Sequence, residues 1–79
     1  GLTATVVDIR LIMKEGIQTL ASAMVLCHNH PSGNTHPSDD DDQITKRLKE
    51  AGYIMDIRLL DHIIVCDNSY YSYMDTGRL

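Results

Sequence analysis

The segment from His28 to Asp41 constrains the fold more than any other part of the chain. It combines three histidines, two prolines, several small polar residues and the first three of four consecutive aspartates. A stretch this rich in Pro, Ser, Gly and Asn predicts a loop between two regular elements. Because no other stretch has such a density of metal-binding side chains, we expect the remaining sequence to form the frame that brings them together.

The sequence before this loop predicts a strand, a helix and a second strand. β-Branched residues favour a strand over residues 3–7, and Asp8 is a suitable N-cap for the helix that follows. Apolar residues at helical spacing predict that helix over residues 9–22. The continuous apolar run at residues 23–27 indicates a strand buried on both faces, which ends directly at His28.

The sequence after the loop predicts one long helix and several short strands. Ser38 is a good N-cap, and the helix is expected to run to Ala51 with Gly52 as its C′ residue. Strands are predicted over residues 63–66 and 70–74, and residues 57–60 can add a further short strand. The order β-α-β-α-β-β indicates a single α/β domain over residues 1–79, since a chain of 79 residues is too short for more.

The histidines and one aspartate of the loop have the geometry of a metal site. Residues two apart on an extended chain point to the same side, so His28 and His30 can face one point. The apolar face of the following helix, counted back in helical steps, includes Asp41 but not the other aspartates. Two histidines and one carboxylate leave a position open for water, which is typical of catalytic zinc.

Each half of this pattern also has a purely structural explanation. A His-x-His pair alone is a weak motif, and Ser38 with Asp41 also fits a variant of the helix capping box, which needs no metal. The two explanations are compatible, because Ser38 can cap the helix while Asp41 binds a metal. The combination of a buried strand, paired histidines, a Pro/Gly loop and an inward carboxylate favours the metal site.

Composition narrows the remaining classes of function. The net charge is −4 and the basic residues are scattered, whereas a nucleic-acid-binding protein normally shows a basic face.

Cys27 and Cys66 form no CxxC motif and are expected to be buried, reduced thiols. Cys27 adjoins His28 but should point to the opposite face of its strand. Without a signal peptide or a long apolar run, the sequence predicts a soluble cytoplasmic protein with no membrane partner.

The spacing of the candidate ligands resembles a known signature. His28-x-His30, seven residues, Ser38, two residues and Asp41 is similar to the motif of the JAB1/MPN/JAMM metalloproteases. The run from His28 to Gly33 and the later Asp61-His62 pair resemble the bacterial RadC group within that family. The resemblance covers essentially the whole chain. It implies a mixed-sheet α-β-α sandwich of the cytidine-deaminase-like JAB1/MPN type.

The resemblance also implies a role for each residue of the motif. His28, His30 and Asp41 would be the ligands of a Zn²⁺ cofactor, and Ser38 would hydrogen-bond the oxyanion formed during hydrolysis. Family members use a glutamate upstream of the histidines as general base. Glu15 is the only glutamate upstream here, and its position in the predicted helix does not match the motif. The chain is therefore expected to be an N-terminally truncated domain that lacks its base and is inactive alone.

Several nearby residues have weaker assignments. His36 is expected to be a solvated loop residue, and Asp61 and His62 are expected to support the site by hydrogen bonds rather than by ligation. The tyrosines near the C-terminus favour hairpin packing over a surface for stacking nucleotides; they are Tyr70, Tyr71 and Tyr73.

Three functions fit the resemblance. The first is a zinc metallo-hydrolase that cleaves a peptide or isopeptide bond in a protein or peptide substrate. The second is a DNA-repair-associated protein that binds DNA or a partner without peptidase chemistry, because RadC proteins commonly carry a DNA-repair label. The third is a fold that retains the metal site for structure or partner binding. No residue of this sequence favours the DNA-associated function.

Overall fold

The computed structural model describes residues 8–31 and 33–79, and these residues form two helices and three strands. In chain order the elements are α1 (Ile9–Gln18), β1 (Ala23–Asn29), α2 (Asp39–Met55), β2 (Arg58–Val65) and β3 (Tyr70–Ser72). The strand predicted over residues 3–7 lies outside the described residues. The predicted α/β class is confirmed.

The strands form one mixed sheet in the order β1-β2-β3. β1 runs parallel to β2, and β3 pairs antiparallel with the C-terminal end of β2. The connection between the parallel strands is α2, as a βαβ unit requires. β2 is one continuous strand where the sequence predicted two short ones, because Asp61 and His62 remain in the ladder instead of forming a turn.

The core lies between the sheet and the two helices. Leu26 of β1, Leu48 of α2 and Leu59 of β2 are buried together at its centre. Partly buried side chains from both helices, β1 and the C-terminus surround them, and these are Ile9, Ile12, Met13, Met24, Ile44 and Leu79. Both helices therefore pack on the same face of the sheet. A sandwich with helices on both faces stays a prediction.

The opposite face of β1 is open to solvent in the described part of the chain. Burial along β1 alternates: Leu26 and His28 are buried, whereas Cys27 is exposed and Val25 retains 52% of its accessible surface. The prediction that β1 is buried on both faces is therefore wrong for these residues, and so is the prediction of a buried Cys27. Both described helices cover the other face, so among residues 8–31 and 33–79 the apolar run is packed on one side.

The two helices differ from their predicted lengths in opposite directions. α1 ends four residues earlier than expected, at Gln18, where the Thr19 N–H donates to the Glu15 carbonyl. α2 continues past Gly52 and ends at Met55, and its C-cap Asp56 adopts the left-handed conformation with φ 58°. Neither described helix is long and apolar enough to cross a membrane.

Gly52 is needed for close packing rather than for a helix end. A Cβ at this position would lie 2.2 Å from the backbone oxygen of Ile57 and 2.9 Å from the Met24 methyl group. The Gly52 carbonyl also accepts a hydrogen bond from the Ile57 N–H at 2.8 Å. The prediction that Gly52 is the C′ residue of α2 is wrong, because the chain turns one residue after Met55 and folds back across Gly52.

Candidate metal centre

The C-terminal end of β1 and the N-terminal end of α2 deliver the three predicted ligands to one place. His28 lies on the buried face of β1, and His30 follows the last residue of the strand. The His30 N–H donates to the Val65 carbonyl at 3.1 Å, which continues the pairing with β2 beyond the end of β1. Asp41 lies in the first turn of α2, on the side that faces the sheet.

The side-chain atoms of these residues converge. Nε2 of His28 lies 3.2 Å from Oδ1 of Asp41, and Nε2 of His30 lies 3.0 Å from Oδ2. One ligand atom from each residue falls within 4.8 Å of the other two. Ligands 2.0–2.1 Å from a tetrahedral zinc are separated by about 3.3 Å. The two nitrogen–oxygen distances are close to this value, but they involve different oxygens of Asp41. The group could hold a metal ion.

Asp41 is held by the capping box at the start of α2. The Ser38 N–H donates to Oδ2 of Asp41 at 2.8 Å, and the Asp41 N–H donates to Oγ of Ser38 at 3.1 Å. Burial opposes ionisation of this carboxyl, but hydrogen bonding from Ser38 and the two histidines outweigh it and lower its pKa. Asp41 is therefore a carboxylate fixed in orientation by the same hydrogen bonds that cap the helix.

His30 presents a lone pair to Asp41 when it is neutral. Its Nδ1 lies 2.7 Å from the backbone oxygen of Asn34, which can only accept, so the hydrogen of the neutral ring is on Nδ1. The Nε2 lone pair then faces a carboxylate oxygen 3.0 Å away. Two lone pairs at that distance repel each other unless a cation lies between or beside them. A proton or a metal ion would satisfy this arrangement.

His28 is the buried member of the three candidate ligands. Its pKa is lowered chiefly by burial, against the opposing effect of Asp41, so the ring favours the neutral form that binds metals. Its Nδ1 lies 2.8 Å from Nε2 of His62, which is fully buried below the site. The prediction that His62 supports the site by hydrogen bonding agrees with this contact.

Three further residues support His62, and the sequence interpretation identified only one of these roles. The Thr45 hydroxyl lies 2.5 Å from Nδ1 of His62, and the Tyr73 ring stacks on the imidazole with centroids 4.7 Å apart. Oδ1 of Asp61 accepts from the His62 N–H at 2.7 Å. Thr45 lies four residues after Asp41, so the helical phase that selected Asp41 also pointed to Thr45.

Tyr73 has a packing role, as predicted for the tyrosine cluster. Its hydroxyl donates to Oδ1 of Asp42 at 2.7 Å, and its ring meets Tyr71 edge to face. Burial, followed by the bond to Asp42, raises the pKa of its hydroxyl above the usual range. The Arg78 guanidinium also donates to Asp42, at 2.7 Å. These contacts pack the C-terminal residues against the start of α2.

The other sequence candidates lie outside the cluster. His36 is exposed in the loop, and the only hydrogen bond described for it joins its backbone N–H to the Asn34 side chain. Cys27 points to the opposite face of β1, as predicted. Cys66 is partly buried, and its thiol donates to the His30 carbonyl at 3.4 Å. Glu15 is exposed on α1 and is not part of the His28, His30 and Asp41 group.

Comparisons with known proteins agree with the resemblance of the motif. Residues 1–78 match the model of the RadC-like JAB domain family. The chain is 49% identical over 77 residues to the UPF0758 protein of Flavobacterium johnsoniae, a match that covers 98% of this chain and 34% of that protein. It is 45% identical over 80 residues to the UPF0758 protein of Porphyromonas gingivalis, covering 100% of this chain and 35% of the relative. The chain thus spans about a third of the length of the curated relatives that it matches.

Proposed function

The chain belongs to the RadC-like JAB domain family, and on this basis we propose that His28, His30 and Asp41 bind a zinc ion in a metallo-hydrolase domain. The substrate class we propose is a peptide or isopeptide bond of a protein. The three-layer sandwich of the JAB1/MPN type is proposed as the fold of the whole domain.

One observation carries the metal proposal. Both imidazole Nε2 atoms point at the Asp41 carboxylate, while the His30 Nδ1–H donates to the Asn34 carbonyl. When the imidazoles are neutral, three lone-pair donors meet with no hydrogen between His30 and Asp41. Imidazole nitrogens favour zinc and other transition metals over Mg²⁺ or Ca²⁺, which prefer oxygen ligands. The donor set therefore fits a zinc ion with one position left open.

The residues of the chain would divide the work of hydrolysis as follows. A zinc ion at this position supplies a Lewis acid that polarises a carbonyl and lowers the pKa of a water ligand. Asp41 holds its carboxylate towards the histidines, and the capping box prevents it from rotating away. The Ser38 hydroxyl accepts from the Asp41 N–H, which leaves its hydrogen available to an oxyanion of the substrate.

Zinc binding is tested with a matched pair of aspartate variants. Asp41→Asn keeps the size and the capping acceptor but removes the charge, whereas Asp40→Asn changes an exposed aspartate in the same helical turn. We expect wild type and Asp40→Asn to bind one zinc equivalent. Asp41→Asn should bind at least about 100-fold more weakly, because even loss of an outer hydrogen-bond partner of a ligand typically costs 10–100-fold. Zinc titration against a chromophoric chelator gives the affinities.

Equal zinc affinity for wild type and Asp41→Asn would refute the metal site. An equal loss in Asp40→Asn would show that the charge of the α2 N-terminus, and not the ligand, controls binding.

The role of Ser38 is separated from helix capping by two substitutions. Ser38→Ala removes both the cap and the hydroxyl donor, and should lower the free energy of unfolding by about 1 kcal/mol. Ser38→Asp keeps a good cap, but its carboxylate has no hydrogen to donate, so its stability should stay closer to that of wild type than the stability of Ser38→Ala. In the whole protein we expect both variants to lose peptide hydrolysis. If Ser38→Asp retains wild-type turnover, the hydroxyl donor is not needed and Ser38 serves only as a cap.

A further inference from the structure

A chain of hydrogen bonds lies beneath the metal-binding group and links Asp41 to His28. The Thr45 hydroxyl is 2.7 Å from the backbone oxygen of Asp41 and 2.5 Å from Nδ1 of His62. Nε2 of His62 is 2.8 Å from Nδ1 of His28. Thr45, His62 and His28 are all buried, so water does not compete for these contacts. Each contact needs one hydrogen, and the donors can therefore be assigned in turn.

The Asp41 carbonyl fixes the direction of the chain, because it can only accept. Its oxygen lies 2.7 Å from Oγ1 of Thr45, and this contact requires the hydroxyl hydrogen. Threonines in helices commonly donate to the carbonyl four residues earlier, so the bond is also locally favoured. With its hydrogen used, Thr45 can only accept at the other contact. His62 must therefore carry its hydrogen on Nδ1.

The assignment of His62 determines that of His28. His62 is fully buried, and the ring nitrogens contact only the uncharged partners Thr45 and His28, so the ring is held neutral and has a single N–H. With that hydrogen on Nδ1, Nε2 of His62 is a lone pair and can only accept. The partner nitrogen, Nδ1 of His28, must then be the donor. His28 is left with a bare Nε2, which lies 3.2 Å from Oδ1 of Asp41.

We infer that Thr45 and His62 are positioning residues that hold His28 as the Nδ1–H tautomer and so keep its Nε2 free for a metal. This inference rests on the proposed zinc site. The two histidine ligands reach the same tautomer in different ways. His30 donates to the Asn34 carbonyl, whereas His28 donates to an imidazole, which could equally be a donor. Of the two histidines, only His28 therefore depends on a further side chain to decide which nitrogen donates in its hydrogen bond.

This dependence assigns a specific role to the Thr45 hydroxyl. Metal-binding histidines usually donate their second N–H to a carboxylate, a carbonyl or a water. In this chain the neutral imidazole of His62 takes that place. Because Thr45 donates to the Asp41 carbonyl, it can only accept from Nδ1 of His62, and this leaves Nε2 of His62 as the acceptor for His28. Without the hydroxyl, His62 could turn its Nε2–H towards His28. His28 would then carry its own hydrogen on Nε2, where the metal should bind.

The tautomers can be read directly in the metal-free protein. Long-range proton–nitrogen NMR correlations of ¹⁵N-histidine-labelled protein distinguish protonated from bare ring nitrogens. We record the spectra in the presence of a chelator at about pH 8, above the usual histidine pKa. Under these conditions we expect the ring hydrogen to be on Nδ1 in both His28 and His62. His30, with its carbonyl partner, provides the internal reference. A wild-type spectrum with Nε2–H on His28 or His62 would overturn the inference without any variant.

Zinc affinity provides the second readout. Thr45→Val keeps the shape of the side chain but removes the hydroxyl, and Thr45→Ser restores the hydroxyl. Thr19→Val is a matched control, because the Thr19 hydroxyl also donates to the carbonyl four residues earlier but contacts no histidine. We expect Thr45→Val to bind zinc about 10–100-fold more weakly, with mixed tautomers at His28. Thr45→Ser and Thr19→Val should behave as wild type.

The two readouts separate this inference from the proposed function. If wild type shows the expected tautomers but binds no zinc, the metal site fails and the control of the tautomers by Thr45 and His62 stands. If wild type binds zinc but Thr45→Val keeps both the tautomers and the affinity, the zinc site stands and the role of Thr45 is refuted. Loss of affinity in Thr45→Val that Thr45→Ser does not restore would also refute it.

Discussion

Acidification is expected to destabilise the metal-free fold through His62. The side chain is 0% exposed, and burial, followed by the proximity of His28, lowers its pKa to about 4 from 6.5. In the unfolded chain His62 regains its ordinary pKa, so between pH 6.5 and pH 4 the unfolded state binds more protons than the folded state. The stabilisation is thus complete above pH 6.5 and is lost as the pH falls through this window.

The size of the effect follows from the two pKa values. Their difference of about 2.5 corresponds to about 3 kcal/mol, lost at no more than about 1.4 kcal/mol per pH unit for one proton. A chain of 79 residues has a free energy of unfolding of roughly 4–12 kcal/mol. His28, whose pKa burial also lowers, adds a loss of the same sign. Acidification should therefore remove a large part of the stability before the carboxylates titrate.

Urea unfolding between pH 8 and pH 4.5, in the presence of a chelator, measures this dependence. His62→Gln removes the titrating group and should flatten the pH dependence, although its stability at pH 8 will be lower. His36→Gln removes an exposed loop histidine and should keep the wild-type dependence. The reasoning is wrong if His62→Gln loses stability on acidification as steeply as wild type, or if wild type gains stability as the pH falls.

Three further substitutions test packing around the site by thermal and urea unfolding. Gly52→Ala should destabilise the fold by about 1–3 kcal/mol despite its better helix propensity, because the new Cβ would lie 2.2 Å from the Ile57 carbonyl oxygen. Gly16→Ala, whose Cβ would meet only two side-chain methyl groups of Ile57, at 3.1 and 3.7 Å, should cost clearly less, and an equal loss would contradict the argument. Tyr73→Phe keeps the stacking on His62 but removes the bond to Asp42, and should cost about 1.5–3 kcal/mol. Wild-type stability for Tyr73→Phe would mean that this hydroxyl bond contributes nothing net.

The convergence of His28, His30 and Asp41 was predictable because local periodicity fixes it. His28 and His30 are two residues apart at a strand end, and Asp41 is on the inward phase of a helix that its own capping box begins. Each of these relations extends over four residues or fewer. The only longer connection between these residues is the loop from His30 to Ser38, and its Pro and Gly residues indicate a loop in the sequence. Short-range rules therefore suffice to select one aspartate out of four.

The ends of the helices were less predictable, because tertiary contacts override the local signal. Gly52 has the residue type of a helix C′ position, yet the chain needs it for the approach of Ile57. The left-handed position is taken instead by Asp56, a residue type that tolerates this conformation better than most. Nothing in the sequence near Gly52 distinguishes a glycine that ends a helix from one that admits a crossing backbone.

The contacts of His62 below the candidate ligands depend on a detail of strand register that no local pattern reveals. Met24 pairs with Leu59, but Val25 pairs with Asp61, so one residue of β2, Leu60, has no counterpart in β1.

Strict alternation along β2 would place Leu59 and His62 on opposite faces, since they are three residues apart. The shift of one residue brings both to the buried face: Leu59 joins the core at one end, and His62 lies opposite Leu26 at the other. His62 reaches His28 only because of this shift. The sequence shows Asp61-His62 beside a strand, but the irregularity at Leu60 decides whether the imidazole faces solvent or His28. The proposed control of the His28 tautomer is thus a consequence of sheet register as much as of side-chain chemistry.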